Sequence, residues 1–382
     1  FLMRCWQKRR VKMECSCRPE NCTSGELVLM VSSSCNLDCR YCYCGQEQGG
    51  LMSEDTAYRA LLTAQSVFRV KSIQLSGGEP LLNLPLIRWV AAYARDFGLK
   101  LKMQTNATLI TPALAEELKQ MGIQLGVSLD GVAKTHNSLR PLEEGNSFNQ
   151  TLAGIKNLEG QGLKSGLTCV VSSANYSRLE ELAVLASQLA GISGITFDLI
   201  RPSGRALDFP DLFEMNPAIL RKSLYRAIWA CYELSHLSGR RMVVREIERM
   251  RYLNESGQNR KFRCYFDTGC QLAVNPQGDI YPCAALSAYP EMNIGNVNTS
   301  LEPEILSRRL KEARNLAGEF DKCRSCRFYL SLCGGPCPAQ IYSRRKQGQD
   351  CSLECALRQT YIEYLNPELR KSDAETKTGL PL

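Results

Sequence analysis

The chain alternates short apolar runs with longer amphipathic stretches from about residue 27 to residue 200. The stretches carry apolar residues on one face and predict helices. The apolar runs predict six buried strands, at residues 27–31, 71–75, 99–104, 123–128, 163–171 and 194–200. Strands that alternate with helices favour a parallel sheet. The fold class is therefore α/β, and six such units predict a partial (β/α)6 barrel of the TIM type, whose chemistry lies at the C-terminal strand ends.

Capping residues mark three of the predicted helix starts. Ser53 can cap a helix that runs to about Val67. Thr111 is followed by a proline, which is favoured in the first helical turn. Ser177 lies three residues before Glu180, and this spacing has the form of a capping box. The pattern thus predicts helices before the second, the fourth and the sixth strands.

The alternation stops near Arg201, where the composition changes. Two basic helices are predicted at about 217–237 and 241–255, and a hairpin around Asn275-Pro276-Gln277-Gly278 follows within a cysteine-rich region. We divide the chain into an N-terminal extension (1–25), a partial barrel (26–205), a helical linker (206–258), a cysteine-rich domain (259–357) and a C-terminal helix and tail (358–382).

Composition narrows the class of protein. The chain is 44% hydrophobic and 23% charged, as in globular proteins, and no apolar run reaches the roughly 18 residues of a membrane helix. The basic first ten residues lack the apolar core of a signal peptide, so we expect a cytoplasmic protein without a membrane partner. The net charge is +8. Without a nucleic-acid motif we interpret the basic runs as solvated helix faces, with an acidic peptide partner as the alternative.

The 19 cysteines are grouped, and residues 45–168 contain none. Disulfide scaffolds are typical of short secreted chains, so the grouping favours metal sites. Cys35, Cys39 and Cys42 have the spacing C-x3-C-x2-C directly after the first strand. A closed structural zinc site takes four ligands, whereas a four-iron cluster on three thiolates keeps one iron open. A zinc loop remains the alternative, and Cys44 is not expected to be a ligand.

This loop resembles the cysteine motif of the radical S-adenosylmethionine (radical SAM) superfamily, in which an aromatic residue, here Tyr41, precedes the last cysteine. The second strand is followed by Gly77-Gly78-Glu79, which matches the G-G-E motif of the family. The resemblance implies a [4Fe–4S] cluster on Cys35, Cys39 and Cys42 that binds SAM, with the glycine turn near the amino group of SAM. Electron transfer to SAM then yields a 5′-deoxyadenosyl radical, which abstracts hydrogen from a substrate.

Other polar residues at strand ends match positions that contact SAM or shape its pocket in relatives. Asn106 follows the third strand, and Ser128 and Asp130 stand at the end of the fourth. Arg140 is a candidate for binding the carboxylate of SAM. The resemblance therefore implies a pocket built from several consecutive strand ends.

The C-terminal cysteines resemble the SPASM extension of the same superfamily. Their spacing is Cys264-x5-Cys270-x12-Cys283, then Cys323-x2-Cys326-x6-Cys333-x3-Cys337-x17-Cys355, with six residues where the usual pattern has five before Cys333. The resemblance implies two auxiliary [4Fe–4S] clusters, one on Cys264, Cys270, Cys283 and Cys337, the other on Cys323, Cys326, Cys333 and Cys355. Cys351 is a rival to Cys355. Paired zinc ribbons also use C-x2-C and are the alternative.

The resemblance implies three outcomes: a thioether or carbon–carbon crosslink in a peptide, epimerisation, or formation of formylglycine in a sulfatase. Sulfatase-maturing relatives carry an aspartate where this chain has Ala284, so we rank that outcome below peptide maturation. Cys169, on the fifth strand, is a candidate hydrogen donor for epimerisation, or a packing residue. Asp198, on the sixth, is a candidate base, or caps a loop.

We therefore expect a three-cluster radical SAM/SPASM enzyme that crosslinks a ribosomally synthesised peptide. An epimerase, a sulfatase maturase and a non-catalytic iron–sulfur electron carrier are the alternatives. The implied partners are a precursor peptide or protein and a low-potential electron donor, flavodoxin or ferredoxin, with no nucleic acid. Residues 1–25 are too short for a leader-recognition domain, so leader binding is minimal, is supplied by a separate protein, or is not needed. The roles of Cys5, Cys15, Cys17 and Cys22 stay open.

Overall fold

The computed structural model describes residues 24–44, 50–260 and 262–368. Residues 1–23, with the four N-terminal cysteines, and the predicted C-terminal tail from 369 onward lie outside this range. Within the described residues, ten strands form one sheet in the order β10-β9-β8-β1-β2-β3-β4-β5-β6-β7. The strands are β1 Gly25–Ser32, β2 Val70–Gly77, β3 Lys100–Thr105, β4 Gln124–Ser128, β5 Ser165–Val171, β6 Ile192–Leu199, β7 Val243–Val244, β8 Gln271–Val274, β9 Asp279–Tyr281 and β10 Gly295–Asn296.

The first six strands confirm the predicted parallel series. Each of β1 to β6 pairs in parallel with the next strand in the chain. The short strand β7 extends the series beside β6, in a region that the sequence predicts to be helical. The partial barrel is therefore correct, and the second basic helix starts later than predicted because Val243 and Val244 pair with β6.

Helices connect the strands and cover the outer face of the sheet. They are α1 Glu54–Val67, α2 Leu84–Asp96, α3 Pro112–Gln120, α4 Ala133–Leu139, α5 Ser147–Gly160, α6 Leu179–Ser187, α7 Pro217–Ser238, α8 Arg245–Glu255, α9 Pro303–Ala317, α10 Pro338–Lys346 and α11 Ser352–Leu365. None of these helices combines the length and the apolar character of a membrane span.

Two of the predicted helix caps are present and one is wrong. Ser53 accepts a hydrogen bond from the backbone N of Thr56, and Thr111 accepts one from Leu114. The predicted capping box at Ser177 is not used, since α6 begins at Leu179. The first helical amide of α6 instead donates to Oγ of Ser223 in α7, at 2.8 Å. A tertiary contact thus replaces the local cap.

Side chains on the barrel strands alternate between the apolar shell and the barrel interior. On β5, Leu167, Cys169 and Val171 are fully buried in the hydrophobic core, while Thr168 and Val170 line the interior. This follows from the two-residue period of a strand. The interior therefore presents polar groups from several strands and has room for ligands.

The cysteine-rich region joins the barrel through its predicted hairpin. Strands β8 and β9 are antiparallel, as predicted around Asn275. Strand β8 also pairs in parallel with β1, from Glu26–Gln271 to Leu29–Val274. The sequence did not predict this pairing. It places the C-terminal region against the same barrel strand from which the C-x3-C-x2-C loop emerges.

Candidate functional site

The C-x3-C-x2-C loop leaves the C-terminal end of β1 and is held by backbone hydrogen bonds. The amide of Asp38 donates to Pro141 O and that of Arg40 to Leu139 O, both at 2.9 Å. Cys39 is buried, Cys42 is half-buried and Cys35 is exposed. The loop thus presents three thiols from a backbone anchored to the segment after α4.

The three thiols influence one another's ionisation. Burial and neighbouring negative groups raise the pKa of Cys39 to about 12. A hydrogen bond with Cys44 lowers the pKa of Cys42 to about 6, against the opposing effect of burial. Three thiolates at this position repel one another unless a positive centre neutralises them. The loop therefore suits an iron cluster, which binds thiolates.

The glycines of the G-G-E turn lie against the start of this loop. The amide of Gly78 donates to Ser32 O at 2.7 Å, and that of Glu79 donates to Ser34 O at 2.9 Å. A Cβ on Gly77 would lie 2.2 Å from Ser32 O, and one on Gly78 would lie 2.1 Å from Ser34 O. Gly77 also has a φ of +131°, which favours glycine. The turn therefore requires glycine because two backbone segments touch there.

Glu79 is buried and its carboxylate joins the ends of two strands. Its oxygens accept hydrogen bonds from Oγ1 of Thr105 at 2.7 Å and from the backbone N of Asn106 at 2.9 Å. Burial raises the pKa of Glu79, and these hydrogen bonds oppose that rise. Glu79 thus ties the turn after β2 to the turn after β3.

Asp130 organises the opposite side of the loop. Its carboxylate accepts hydrogen bonds from the hydroxyl of Tyr41, from Nε of Arg140 at 2.7 Å and from the backbone N of Val170 at 2.8 Å. Arg140 in turn lies 3.8 Å from Sγ of Cys39 and over the ring of Tyr41. Asp130 therefore orients the residues that hold Cys39.

One cavity, here called the central cavity, collects most of the predicted site. Its volume is about 390 Å³, and it extends from the cysteine loop into the barrel interior. Predicted residues on its wall are Cys35, Cys39, Tyr41, Cys42, Gly77, Gly78, Glu79, Asn106, Ser128, Arg140, Asp198 and Cys283. Asp130 lies behind this wall, where its carboxylate accepts hydrogen bonds from Tyr41 and Arg140 and orients both side chains.

The two candidate residues for substrate chemistry have different positions. Asp198 lines the central cavity and forms an ion pair with Arg201, whose Nη2 lies 2.9 Å from Oδ2. Cys169 lies on the other face of β5, where its thiol is 3.8 Å from Asp130 O and 3.6 Å from Nδ2 of Asn175. The fold brings Asp198 to the cavity and directs Cys169 into the core, because adjacent strand residues point to opposite faces.

The first predicted auxiliary set adjoins the same cavity. Cys283 lies on its wall, next to Ala284. Burial raises the pKa of Cys264 to about 12, and the nearby thiols of Cys337 and Cys283 add to the rise. Cys270 takes part in a disulfide bond, so it must be released before it can bind iron. Its place in the set stays a prediction.

The second predicted set surrounds a cavity of its own, here called the thiol cavity. The cavity has a volume of about 30 Å³, and Cys323, Cys326, Cys333 and Cys355 all line it. Burial raises the pKa of Cys323 to about 12, and the nearby thiols of Cys333, Cys355 and Cys326 add to the rise. Four thiols around one small space fit a closed four-iron cluster, which takes one thiolate on each iron. Within the described residues no group of His, Cys, Asp or Glu is arranged around a single metal ion.

Two residues near the central cavity, Arg201 and His136, were not predicted as site residues from the sequence. Arg201 follows β6, and its place at the C-terminal end of a strand could have predicted it as a site residue. His136 is fully buried, accepts a hydrogen bond from the backbone N of Asp130 at 3.3 Å, and has its Nε2 unpaired among the described residues. Burial lowers the pKa of His136 to about 4, so the ring is neutral near pH 7. The sequence pattern does not reveal this residue, because its role depends on a contact with Asp130 that only the folded structure shows.

Comparison with known proteins identifies two sequence regions. Residues 29–186 match the profile of the Radical SAM superfamily, and residues 264–327 match SPASM, an iron-sulfur cluster-binding domain. An uncharacterized protein of Methanocaldococcus jannaschii is 30% identical over 305 residues, which are 78% of this chain and 98% of that protein. The AdoMet-dependent heme synthase of Methanosarcina barkeri is 29% identical over 338 residues, 82% of this chain and 90% of the relative.

Solved structures share the fold at lower sequence identity. Native anSMEcpe with bound AdoMet superposes with a TM-score of 0.74 at 20% identity, over 93% of this chain and 100% of that one. SuiB of Streptococcus suis, bound to its precursor peptide SuiA, has a TM-score of 0.59 at 18% identity, over 82% of this chain and 71% of SuiB. At these identities the likeness supports the architecture of the barrel and its C-terminal extension.

Proposed function

Because the chain belongs to the radical SAM superfamily and carries its SPASM domain, we propose that it cleaves SAM reductively and removes hydrogen from a peptide substrate. The observation that carries this proposal is the central cavity, which has the C-x3-C-x2-C loop on one wall and Cys283 on another. A SAM-bound cluster at that loop supplies a radical able to attack unactivated C–H bonds.

The residues around the cavity have distinct proposed roles. Cys35, Cys39 and Cys42 hold the cluster. Asn106, Ser128 and Arg140 line the space that SAM takes, while Glu79 and Asp130 fix the loops that carry these residues. The two C-terminal cysteine sets hold auxiliary clusters, so that the chain carries three.

The substrate is proposed to be a ribosomally synthesised peptide that becomes crosslinked. A cavity of about 390 Å³ is near the lower end of ligand sites, which span about 300–1,000 Å³, and SAM takes part of it. The remaining space suits one inserted side chain while the rest of the substrate stays outside. Two solved structures of this fold contain bound peptides, SuiA in SuiB and Cp18Cys in anSMEcpe. A flavodoxin or ferredoxin is the proposed electron donor.

A second candidate is a carboxylate-bearing porphyrin. It is favoured by the heme synthases among the relatives and by Arg201 on the cavity wall. The ion pair with Asp198 uses only Nη2 of this guanidinium. Its Nε is buried and has no hydrogen-bond partner among the described residues. A formylglycine product has less support, since Ala284 lines the cavity at the position of the aspartate in sulfatase-maturing relatives.

The test uses the anaerobically reconstituted chain with dithionite, SAM and the precursor peptide encoded beside its gene. We expect 5′-deoxyadenosine and a peptide lighter by two hydrogens. If neither 5′-deoxyadenosine nor the lighter peptide forms, the proposal is contradicted. If 5′-deoxyadenosine forms and an iron porphyrin with carboxylate side chains is consumed in place of the peptide, the second candidate is correct.

We expect Asp198→Asn to lower peptide product formation on the order of 100-fold, because a general base contributes about that much or more. After the 5′-deoxyadenosyl radical takes one hydrogen atom, crosslink formation releases one proton and one electron. Asp198 is proposed to take the proton, and an auxiliary cluster would accept the electron. SAM cleavage without substrate is expected to stay at the wild-type rate, since Asp198 lies outside the cysteine loop. Liquid chromatography of both products measures the two activities.

Asp211→Asn is the matched control, because Asp211 is exposed and lies outside the central cavity. Equal loss of both activities in Asp198→Asn would show that this residue supports the fold or SAM binding rather than proton transfer.

We expect Cys355→Ser to remove the second auxiliary cluster and about four irons per chain, while Cys351→Ser retains them. Cys355 lines the thiol cavity with three other cysteines, whereas Cys351 is buried outside that wall and next to Arg344. Iron analysis and Mössbauer spectra of the two variants measure the difference. The reverse result would assign the fourth ligand to Cys351.

A further inference from the structure

Three arginine side chains near the auxiliary cysteine sets form hydrogen bonds with one buried carboxylate. Glu246, in the first turn of α8, accepts hydrogen bonds from Nη1 of Arg260, from Nη1 of Arg358 at 2.6 Å and from Nη1 of Arg263 at 3.4 Å. Burial opposes ionisation of Glu246, yet the nearby guanidinium groups hold its pKa below the ordinary value. We call Arg260, Arg263 and Arg358 the arginine cluster.

The arginine cluster is almost closed to solvent and has spare hydrogen-bond donors. The side chains of Arg260 and Arg358 are 2% and 6% exposed, and that of Arg263 is 17% exposed. Among the described residues, the Nε atom of each of the three has no hydrogen-bond partner. Buried donors are normally paired. The protein atoms described here therefore leave part of each guanidinium unsatisfied.

The carboxylates around the arginine cluster are Glu246, Glu354 and Asp267, which lies near Arg260 and Arg263. All three guanidinium groups contact Glu246, and Arg358 also contacts Glu354 of α11, whose Oε2 lies 3.6 Å from its Nη2. A buried cation without a counter-charge is strongly destabilising. A negatively charged group next to the arginine cluster would stabilise its buried guanidinium groups further.

The predicted cluster ligands lie on both sides of the arginine cluster. Arg263 directly precedes Cys264, and the thiols of Cys337 and Cys264 contribute to the raised pKa of Arg263. Arg358 lines the thiol cavity. Arg260 and Arg263 both oppose the rise in pKa that burial imposes on Cys333. The positive charge thus adjoins the first auxiliary set through Arg263 and the second through Arg260 and Arg358.

We propose that the arginine cluster is the internal counter-charge of the two auxiliary iron–sulfur sites and raises their reduction potentials. A cluster held by four thiolates is negative and becomes more negative when it is reduced. A fixed positive charge therefore favours the reduced form, since net charge and hydrogen bonds tune cluster potentials. Glu246 is a positioning residue that holds the three guanidinium groups together. This inference rests on the proposed auxiliary clusters but not on the identity of the substrate.

The sign of the effect provides the test. The full chain with Cys35, Cys39 and Cys42 changed to alanine is reconstituted anaerobically, so that the auxiliary signals stand alone in an EPR-monitored redox titration. We expect Arg358→Met to lower the potential of one auxiliary cluster by about a tenfold change in the one-electron equilibrium, about 59 mV. Glu246→Gln removes a negative charge and is expected to raise a potential instead.

Two further variants separate charge from shape. Arg358→Lys keeps the positive charge and is expected to stay near the unsubstituted potential. Arg241→Met removes an arginine that pairs with Glu248 of α8 but is 80% exposed, and is expected to change neither potential. If Arg358→Met fails to load auxiliary iron while Arg358→Lys loads it, the charge is needed for assembly and the proposal holds.

Three results overturn the inference. The first is a shift of the auxiliary potential in the same direction in Arg358→Met and in Glu246→Gln. The second is a shift in either variant that is no larger than the shift in Arg241→Met. If Arg358→Met and Arg358→Lys both lose the iron, the position requires the shape of arginine rather than its charge. If the chain that carries only the three cysteine substitutions holds no auxiliary iron, the assignment of the auxiliary clusters is wrong. That result is distinguishable from one in which the clusters are present but their potentials do not change.

Discussion

Replacing Cys35, Cys39 and Cys42 together with alanine is expected to abolish reductive SAM cleavage and to lower the iron content from about twelve to about eight per chain. The three thiols lie in one loop at the end of β1 and line the central cavity. The two C-terminal cysteine sets lie elsewhere and keep their ligands. Loss of activity should therefore be complete while two-thirds of the iron remains.

Iron and sulfide analysis with Mössbauer spectra measures the cluster content, and 5′-deoxyadenosine measures SAM cleavage. Cys231→Ala is the control, because Cys231 is buried in α7 and burial alone raises its pKa to about 12. It should keep all the iron and the activity. Zinc in place of the last eight irons would refute the auxiliary clusters. SAM cleavage that survives the triple substitution would refute the assignment of the loop.

Gly78→Ala is expected to have the second largest effect, with loss of the SAM-binding cluster and a decrease of about 3 kcal/mol in the free energy of unfolding. The added methyl group would lie 2.1 Å from Ser34 O and 3.1 Å from the backbone N of Cys35. Both atoms are backbone, so no side chain can move aside. The loop itself must shift, and the amide of Glu79 then loses its hydrogen bond to Ser34.

Urea unfolding and iron analysis measure the two consequences. Gly160→Ala is a matched control, because a Cβ at Gly160 meets no atom of the described residues within 4 Å. Gly160 ends α5, where alanine favours the helix. Equal stability and iron content in the Gly78 and Gly160 variants would show that the loop tolerates displacement and that the close contact is not required.

Most of the barrel could be predicted from the sequence because its signals are local. Six apolar runs became β1 to β6, and Ser53 and Thr111 cap the helices that they were expected to cap. The failures depend on distant partners. The amide at the start of α6 found Ser223 in α7 instead of a local cap, and Val243 paired with Gly194 of β6 instead of entering a helix.

The candidate site divides in the same way. The loop of Cys35, Cys39 and Cys42 and the G-G-E turn were recognisable because their spacing is short and their chemistry is specific. The direction of Cys169 was not evident, since the sequence alone does not say which face of β5 meets the core. The partners of Glu79 and Asp130 were also hidden, because they come from other strands.

By itself, the sequence determined the order of strands and helices, the three-cysteine loop and the two groups of C-terminal cysteines. These depend on period and spacing over a few residues. Only the tertiary structure decided that β8 lies beside β1, that Cys283 and Asp198 share a cavity with the loop, and that three arginines converge on Glu246. Such contacts join residues far apart in the chain, and they arise from how whole elements pack, which local patterns do not encode.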